Sequence, residues 1–381
     1  MTEQIHNRPT WAEIDLDKLA FNFHSSKNFI GTGIKYMAVV KADAYGHGAV
    51  ECSKRLEAEG IDWLGVAIAE EGIELRKAGI NTPILCLGGF WAGQEEILLD
   101  HNLTPVVFQL EQAKLLNNAA AKRSTCADVH IKIDTGMGRV GVRFDGVEEF
   151  VEGLQNFTHL NIDGIMSHFA AADNLAENDF TQLQEKRFEE SITIFTKSGF
   201  HPQFTDIANS PGAVCHPESR GNMVRLGGIL YGLGGDVLPQ EIDKPELRPI
   251  LGLYSQITHI KHVGAEETLG YGRTFTTERE SIIATLPIGY HDGYSRSLSN
   301  RGRVIVNGAF VPVVGRVSMD WIIIDITDVP DTLIGDKAII IGSDGERSIT
   351  AEEIAGELDT ISYEVTCGIN RRVQKRFYGA H

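Results

Sequence analysis

No apolar run in this 381-residue chain is long enough to span a bilayer, and Met1 to Pro9 contain no apolar core of the kind a secretory signal needs. Both absences point to a cytoplasmic address. Cysteine is scarce: Cys52, Cys86, Cys126, Cys215 and Cys367 are scattered, odd in number and never spaced Cys-x-x-Cys, so neither a disulfide framework nor a metal site is indicated. No basic block offsets a formal net charge of -17, which argues against nucleic acid or an anionic membrane as partner. A fixed-period repeat and low-complexity segments are also missing. What remains is an ordinary globular composition, 42% hydrophobic and 23% charged, at a length that suits two domains.

From about residue 34 to 231, short apolar runs alternate with amphipathic stretches, the rhythm of repeated βα units. Strands are expected at 34–40, 63–67, 84–88, 104–107, 129–134, 162–168, 204–208 and 223–226, with helices such as 49–59, 70–78, 110–122 and 180–198 between them. About eight such units fit a closed (β/α)8 TIM-like barrel. The alternative, a doubly wound sheet, predicts a Gly-x-Gly-x-x-Gly turn after the first strand, and none follows Val40. Pro245 and Pro249 in a charged setting mark a linker, dividing the chain into a barrel over 1–246 and a mostly β domain over 247–381. In the second part the period shifts to two. Asn307-Gly308 signals a hairpin, and Thr350-Ala351-Glu352-Glu353 is a capping box for a single late helix closing near Gly356.

Chemistry in such a barrel gathers where strands end, so the polar residue closing each apolar run is the one to inspect. Lys41 closes the first; Lys132, Asp134 and then Arg139 follow the fifth; His168 closes the sixth; Asn209 and Ser210 close the seventh; Arg225 lies in the eighth. Singly, each is explained by an ion pair or a hydrogen-bonded histidine. Jointly, at one rim, they are not. A desolvated lysine loses its charge readily and then attacks carbonyls. Ser210-Pro211-Gly212 and Arg225-Leu226-Gly227-Gly228 offer hydroxyl and backbone N–H groups to a phosphate. A phosphate pocket and an aldehyde-reactive lysine on one rim point to pyridoxal phosphate. Three stretches of the β domain, around Tyr271, around Tyr290 and over Arg316 to Asp320, carry more polar order than a sandwich needs.

With these motifs in view, the chain resembles the alanine racemases, from Trp11 through Val373. The segments that carry the likeness are the lysine segment Ala38 to Gly48, the stretch around Arg139, Ser167 to Ala170, Ala208 to Gly212, Arg225 to Gly232, Leu269 to Phe275, Gly289 to Arg296, Gly315 to Asp320 and Tyr363 to Val373. The resemblance implies a pyridoxal 5'-phosphate barrel, a β domain that the first strand near 11–16 joins, and a homodimer whose active sites share residues. It implies interconversion of L- and D-alanine by two bases, supplying D-alanine for peptidoglycan. Lys41 corresponds to the cofactor lysine and one base, Tyr271 of the partner subunit to the other. Arg225 corresponds to the donor to the pyridine nitrogen, His168 to the link between Tyr271 and Arg225, and Arg139 to a donor to cofactor and substrate carboxylate. Lys132 matches a lysine often carbamylated in the family. Tyr45, Asn209, Ser210, Gly227, Gly228 and Tyr363 match cofactor contacts, while Tyr290, Met319 and Asp320 match the substrate entrance.

Three positions depart from the commoner family pattern: Leu226-Gly227-Gly228, Ser318 and Trp321. The first bears on the phosphate turn, the others on side-chain selectivity. Two competing readings are a serine or broader racemase, or a decarboxylase, on the same scaffold, and a non-catalytic carrier of the cofactor. The residues beyond the linker, Tyr271 among them, count against the carrier.

Overall fold

The computed structural model describes residues 8–379. The described residues divide into two compact units, one of Leu19–Arg248 and one of residues 8–18 together with residues 249–379. No helix among the described residues is long and apolar enough to cross a membrane.

The first unit is a near-closed parallel barrel. Its strands run in the order Met223–Leu226, Lys35–Val39, Trp63–Val66, Ile84–Cys86, Thr104–Val107, Ala127–Asp134, Leu160–Met166 and Phe204–Asp206. The first and last of these meet through Asn222 N–H to Thr205 C=O at 3.3 Å and Arg225 N–H to Ala208 C=O at 3.0 Å. Met37, Trp63, Leu85, Val106, Met166, Phe204 and Met223 fill the interior as one buried cluster, so the barrel is a packed core rather than a pore. Helices pack outside because their apolar residues recur at helical spacing; in Leu110–Lys122 the buried positions include Ala113, Leu116 and Ala120.

In the second unit, Thr10–Asp15 lies antiparallel to Leu251–Gln256 and parallel to Gln374–Tyr378. Leu251–Gln256 continues the sheet through Lys337–Asp344 to Arg303–Val306. Asn307 and Gly308, at φ 48° and 73°, turn that last strand into Ala309–Pro312, the left-handed pair a two-residue hairpin requires. The unit also holds a three-stranded sheet of His259–Val263, Ser281–Leu286 and Ile322–Asp325 and a short ribbon, Thr268–Leu269 against Phe275–Thr276.

The late helix is observed as Ala351–Leu358, and Thr350 Oγ1 accepts from Glu353 N–H at 3.1 Å. Only half of the expected capping box forms, because the Glu353 carboxylate pairs with Arg303 at 2.8 Å. The expectation of a single late helix needs correction, since Ser362–Cys367 forms a second. It is short and carries β-branched Val365 and Thr366, so its sequence gives little helical signal.

Candidate active site

Lys41 opens a turn of unusual hand. Ala42, Asp43, Ala44 and Tyr45 all lie at φ 53–55°, a left-handed turn made without glycine. Each such residue costs roughly 1–2 kcal/mol relative to right-handed backbone. Local bonds offset part of this: Ala44 N–H to Val40 C=O at 2.9 Å, Gly46 N–H to Ala42 C=O at 2.9 Å and Gly48 N–H to Asp43 C=O at 2.8 Å. The Asp43 carboxylate accepts from Ala49 N–H at 2.7 Å, tying the turn to the next helix.

The turn brings Tyr45 to Gly227. A Cβ on Gly227 would sit 2.7 Å from the Tyr45 phenolic oxygen and 3.9 Å from Ser210 Oγ, so only glycine leaves this space open. Gly227 N–H donates to Ser210 Oγ at 2.9 Å, which leaves the Ser210 hydroxyl proton to be donated elsewhere. Asn209 accepts from Gly212 N–H at 3.0 Å and so caps the helix Ser210–Cys215, which sets the serine in place. Tyr45, Ser210 and the start of the 3-10 turn Gly228–Tyr231 therefore form one polar cradle.

Arg225 occupies the barrel beside it and is buried. Its guanidinium is paired with the Asp206 carboxylate, also buried. Nη2 donates to Ser167 C=O at 2.8 Å, to Ile207 C=O at 3.2 Å and to His168 Nδ1 at 3.1 Å. A guanidinium has no acceptor, so Nδ1 must accept and the neutral ring carries its proton on Nε2. Burial and the Arg139 charge push Arg225 down to about 9, and with the Asp206 carboxylate against it the group stays cationic at neutral pH.

Lys132 is buried in the same layer, with Nζ donating to Ser167 C=O at 3.1 Å. Burial and the charges of Arg225, Arg139 and Lys41 hold its amine well below the ordinary value, against the opposing pull of Asp134. His168 is held well below its ordinary value by burial and by Arg225, Lys132, Arg139 and Lys41. Arg139 itself is exposed. The barrel unit thus brings together Lys41, Tyr45, Lys132, Arg139, His168, Asn209, Ser210, Arg225, Gly227 and Gly228.

The remaining candidates belong to the β unit. Tyr271 stands at the tip of the ribbon between Gly270 and Gly272, at φ 72° and 70°, and is 72% exposed. Tyr290 and Met319 share a second junction: Tyr290 N–H donates to Ser318 C=O at 3.0 Å and His291 N–H to Met319 C=O at 3.1 Å. A Cβ on Gly289 would come within 2.4 Å of both carbonyl oxygens, which is why a glycine precedes Tyr290. Arg372 links Asp320 at 2.8 Å with the buried Asp292 at 3.4 Å, and Arg8 holds Asp292 from the other side at 2.5 Å. Tyr363 lies in the helix Ser362–Cys367.

A family model for the alanine racemase N-terminal domain matches residues 14–234, and one for the C-terminal domain matches 250–377. The chain belongs to the alanine racemase family. It is 43% identical over 370 residues to the alanine racemase of Halothermothrix orenii, covering 97% of both chains. The solved alanine racemase of Clostridium difficile 630 superposes with a TM-score of 0.92 at 40% identity, covering 98% of this chain and 96% of that one. An alanine racemase from Bartonella henselae, solved with covalently bound pyridoxal phosphate, superposes at 0.86 with 27% identity, over 97% of this chain and 99% of that one.

Sequence reasoning missed Asp206. One signal was available: period two places it on the same strand face as the core residue Phe204, where a carboxylate needs a counter-charge. Sequence reasoning also missed the Ser167 carbonyl, which Lys132 and Arg225 share.

Proposed function

We propose that the protein is a pyridoxal-phosphate-dependent racemase interconverting L- and D-alanine, acting in the cytoplasm as a homodimer and supplying D-alanine for peptidoglycan. The hydrogen bond from Arg225 to His168 carries this reading, because it joins a group that is cationic at neutral pH to a neutral histidine with one defined proton. The cradle fits the cofactor: the space beside Gly227, lined by the Tyr45 phenol and the Ser210 hydroxyl, suits a phosphate, and Lys41 begins the turn that carries Tyr45. Bound there, the cofactor supplies one thing, withdrawal of electrons from the Cα–H bond of an attached amino acid.

The remaining steps belong to the chain's own residues. Racemisation needs a base on each face of Cα. Lys41 Nζ removes or returns the proton on one face, and the phenolic oxygen of the partner subunit's Tyr271 does so on the other. His168 Nε2–H is the donor free to stabilise that phenolate, since Nδ1 is committed to Arg225. Arg225, cationic at neutral pH, would donate a hydrogen bond to the ring nitrogen while keeping its own proton, which would limit charge spread into the ring and with it transamination. Arg139 and the Met319 backbone receive the substrate carboxylate, and Tyr290 and Asp320 line the entrance.

The Lys132 amine, whose charged form is disfavoured by burial and by the neighbouring Arg225, Arg139 and Lys41 charges, adds to CO2: the nitrogen lone pair bonds carbon, one N–H proton leaves, and the carbamate anion faces Arg139. Incubating the enzyme with L-alanine in deuterated water tests the whole reading. D-alanine carrying deuterium at Cα is expected; no exchange would leave only the carrier. A panel of amino acids then separates alanine from serine and broader racemisation.

A further inference from the structure

Glu71 is outside every motif considered so far. It lies in the first turn of the helix Ala69–Lys77, and its carboxylate collects backbone N–H groups from two βα units. Oε2 accepts from Ala67 N–H at 2.6 Å and Ile68 N–H at 3.4 Å, the loop that leads into its own helix. Oε1 accepts from Ala42 N–H at 2.7 Å, in the preceding unit. Capping its own helix uses only one of these oxygens. The other reaches the residue that follows Lys41.

That residue begins the left-handed turn. Four successive non-glycine residues at φ 53–55° persist only where the surroundings over-determine them. The bonds within the segment fix Ala44, Gly46 and Gly48, all downstream of Ala42. The Asp43 carboxylate anchors the turn forward to Ala49. Glu71 supplies the lateral anchor at its start, and the adjacent strand Trp63–Val66 holds that anchor because Val40 N–H donates to Gly65 C=O at 2.8 Å. If the turn relaxed to right-handed backbone, both ends of it, Lys41 and Tyr45, would change direction together.

We propose that Glu71 is a positioning residue for Lys41 and Tyr45, its carboxylate holding the left-handed turn that sets the amine and the phenol on one side of the barrel mouth. The assignment rests on the racemase reading for what the turn presents, but its physical core, that Glu71 holds the turn, stands apart from that reading. A displacement of about 1 Å at a reacting group lowers turnover by about a hundredfold, so the loss of this anchor is read in kcat.

The test compares Glu71→Ala and Glu71→Gln in the holoenzyme with Thr350→Ala, which removes an ordinary helix cap in the β unit. For Glu71→Ala, amide hydrogen exchange over residues 41–45 should rise at least about tenfold while the barrel strands keep their protection. kcat should fall roughly 10- to 100-fold with KM for alanine changed by no more than about twofold. Glu71→Gln keeps one acceptor oxygen and should recover part of both. Thr350→Ala should lower Tm comparably and move neither readout. Unchanged exchange at 41–45 in Glu71→Ala, or a kcat no lower than that of Thr350→Ala, overturns the proposal. Should Glu71→Ala not fold, Glu71→Gln decides by the same two readouts. A wild-type protein that neither racemises alanine nor fixes the cofactor on Lys41 under borohydride would sink the functional reading, while the exchange result would still judge Glu71.

Discussion

Asp206 sets its carboxylate against the Arg225 guanidinium, and both side chains are buried in the barrel. The pair sits on adjacent strand ends, and the same guanidinium reaches His168. Removing one partner of such a pair leaves an uncompensated buried charge. Asp206→Ala should therefore destabilise the protein by about 3–5 kcal/mol, and Asp206→Asn in the same direction by less. Urea unfolding of the three proteins checks this, and a loss below about 1 kcal/mol for both variants would mean the ion pair carries little.

Gly227 should tolerate no side chain. A Cβ there would lie 2.7 Å from the Tyr45 phenol, so Gly227→Ala must push that hydroxyl out of the cradle. Affinity for pyridoxal phosphate should drop at least about tenfold, equivalent to about 1.4 kcal/mol, with folding retained. Absorbance titration of the cofactor-free protein measures it; unaltered affinity would show that the cradle binds something else.

Tyr271→Phe removes one hydroxyl from an exposed ribbon tip and should leave stability within about 0.5 kcal/mol. Its effect should be confined to one face of Cα. Exchange of the Cα proton should be impaired strongly from L-alanine and much less from D-alanine, with cofactor binding intact. Equal impairment from both enantiomers contradicts the two-base assignment.

Acid should unfold the protein through its neutral histidines. His168 and His130 both have folded values below the ordinary 6.5, the first from burial first and then from Arg225, Lys132, Arg139 and Lys41, the second mainly from complete burial. The unfolded chain takes up protons at these sites as pH drops through 6.5, and the folded chain does not, so stability is full above that pH and is lost below it. Each contributes at most about 1.4 kcal/mol per pH unit. Unfolding free energies between pH 7.5 and about 5 should fall on the acid side, and a flat profile would place these rings in a different protonation state.

Lys132 should be isolated partly as its CO2 adduct. Native intact-mass measurement should show the added mass in bicarbonate buffer and its loss after acid treatment, and Lys132→Arg should show neither. An adduct that survives in Lys132→Arg would locate the modification elsewhere.

Much of this was legible in the linear chain because it depends on local pattern. Short apolar runs broken by amphipathic stretches specify eight strands and their outer helices. Asn307-Gly308 specifies a hairpin through the φ values only such residues adopt readily. Lys41, His168, Ser210 and Arg225 stand at strand ends, where the barrel's geometry makes their chemistry converge.

Tertiary structure decided the rest. Asp206 meets Arg225 through the register of two strands nineteen residues apart, a relation no local window contains. Of Ala42-Asp43-Ala44-Tyr45 only Asp43 is of a type that readily adopts left-handed backbone; two of the four are alanines, which prefer the opposite hand. The turn exists because bonds from elsewhere outweigh that preference, Glu71 at its start and Ala49 at its end. The sequence by itself determined which groups stand at the barrel mouth. Only the packed fold determined how they are held there, because holding strained backbone and buried charge takes partners from distant parts of the chain.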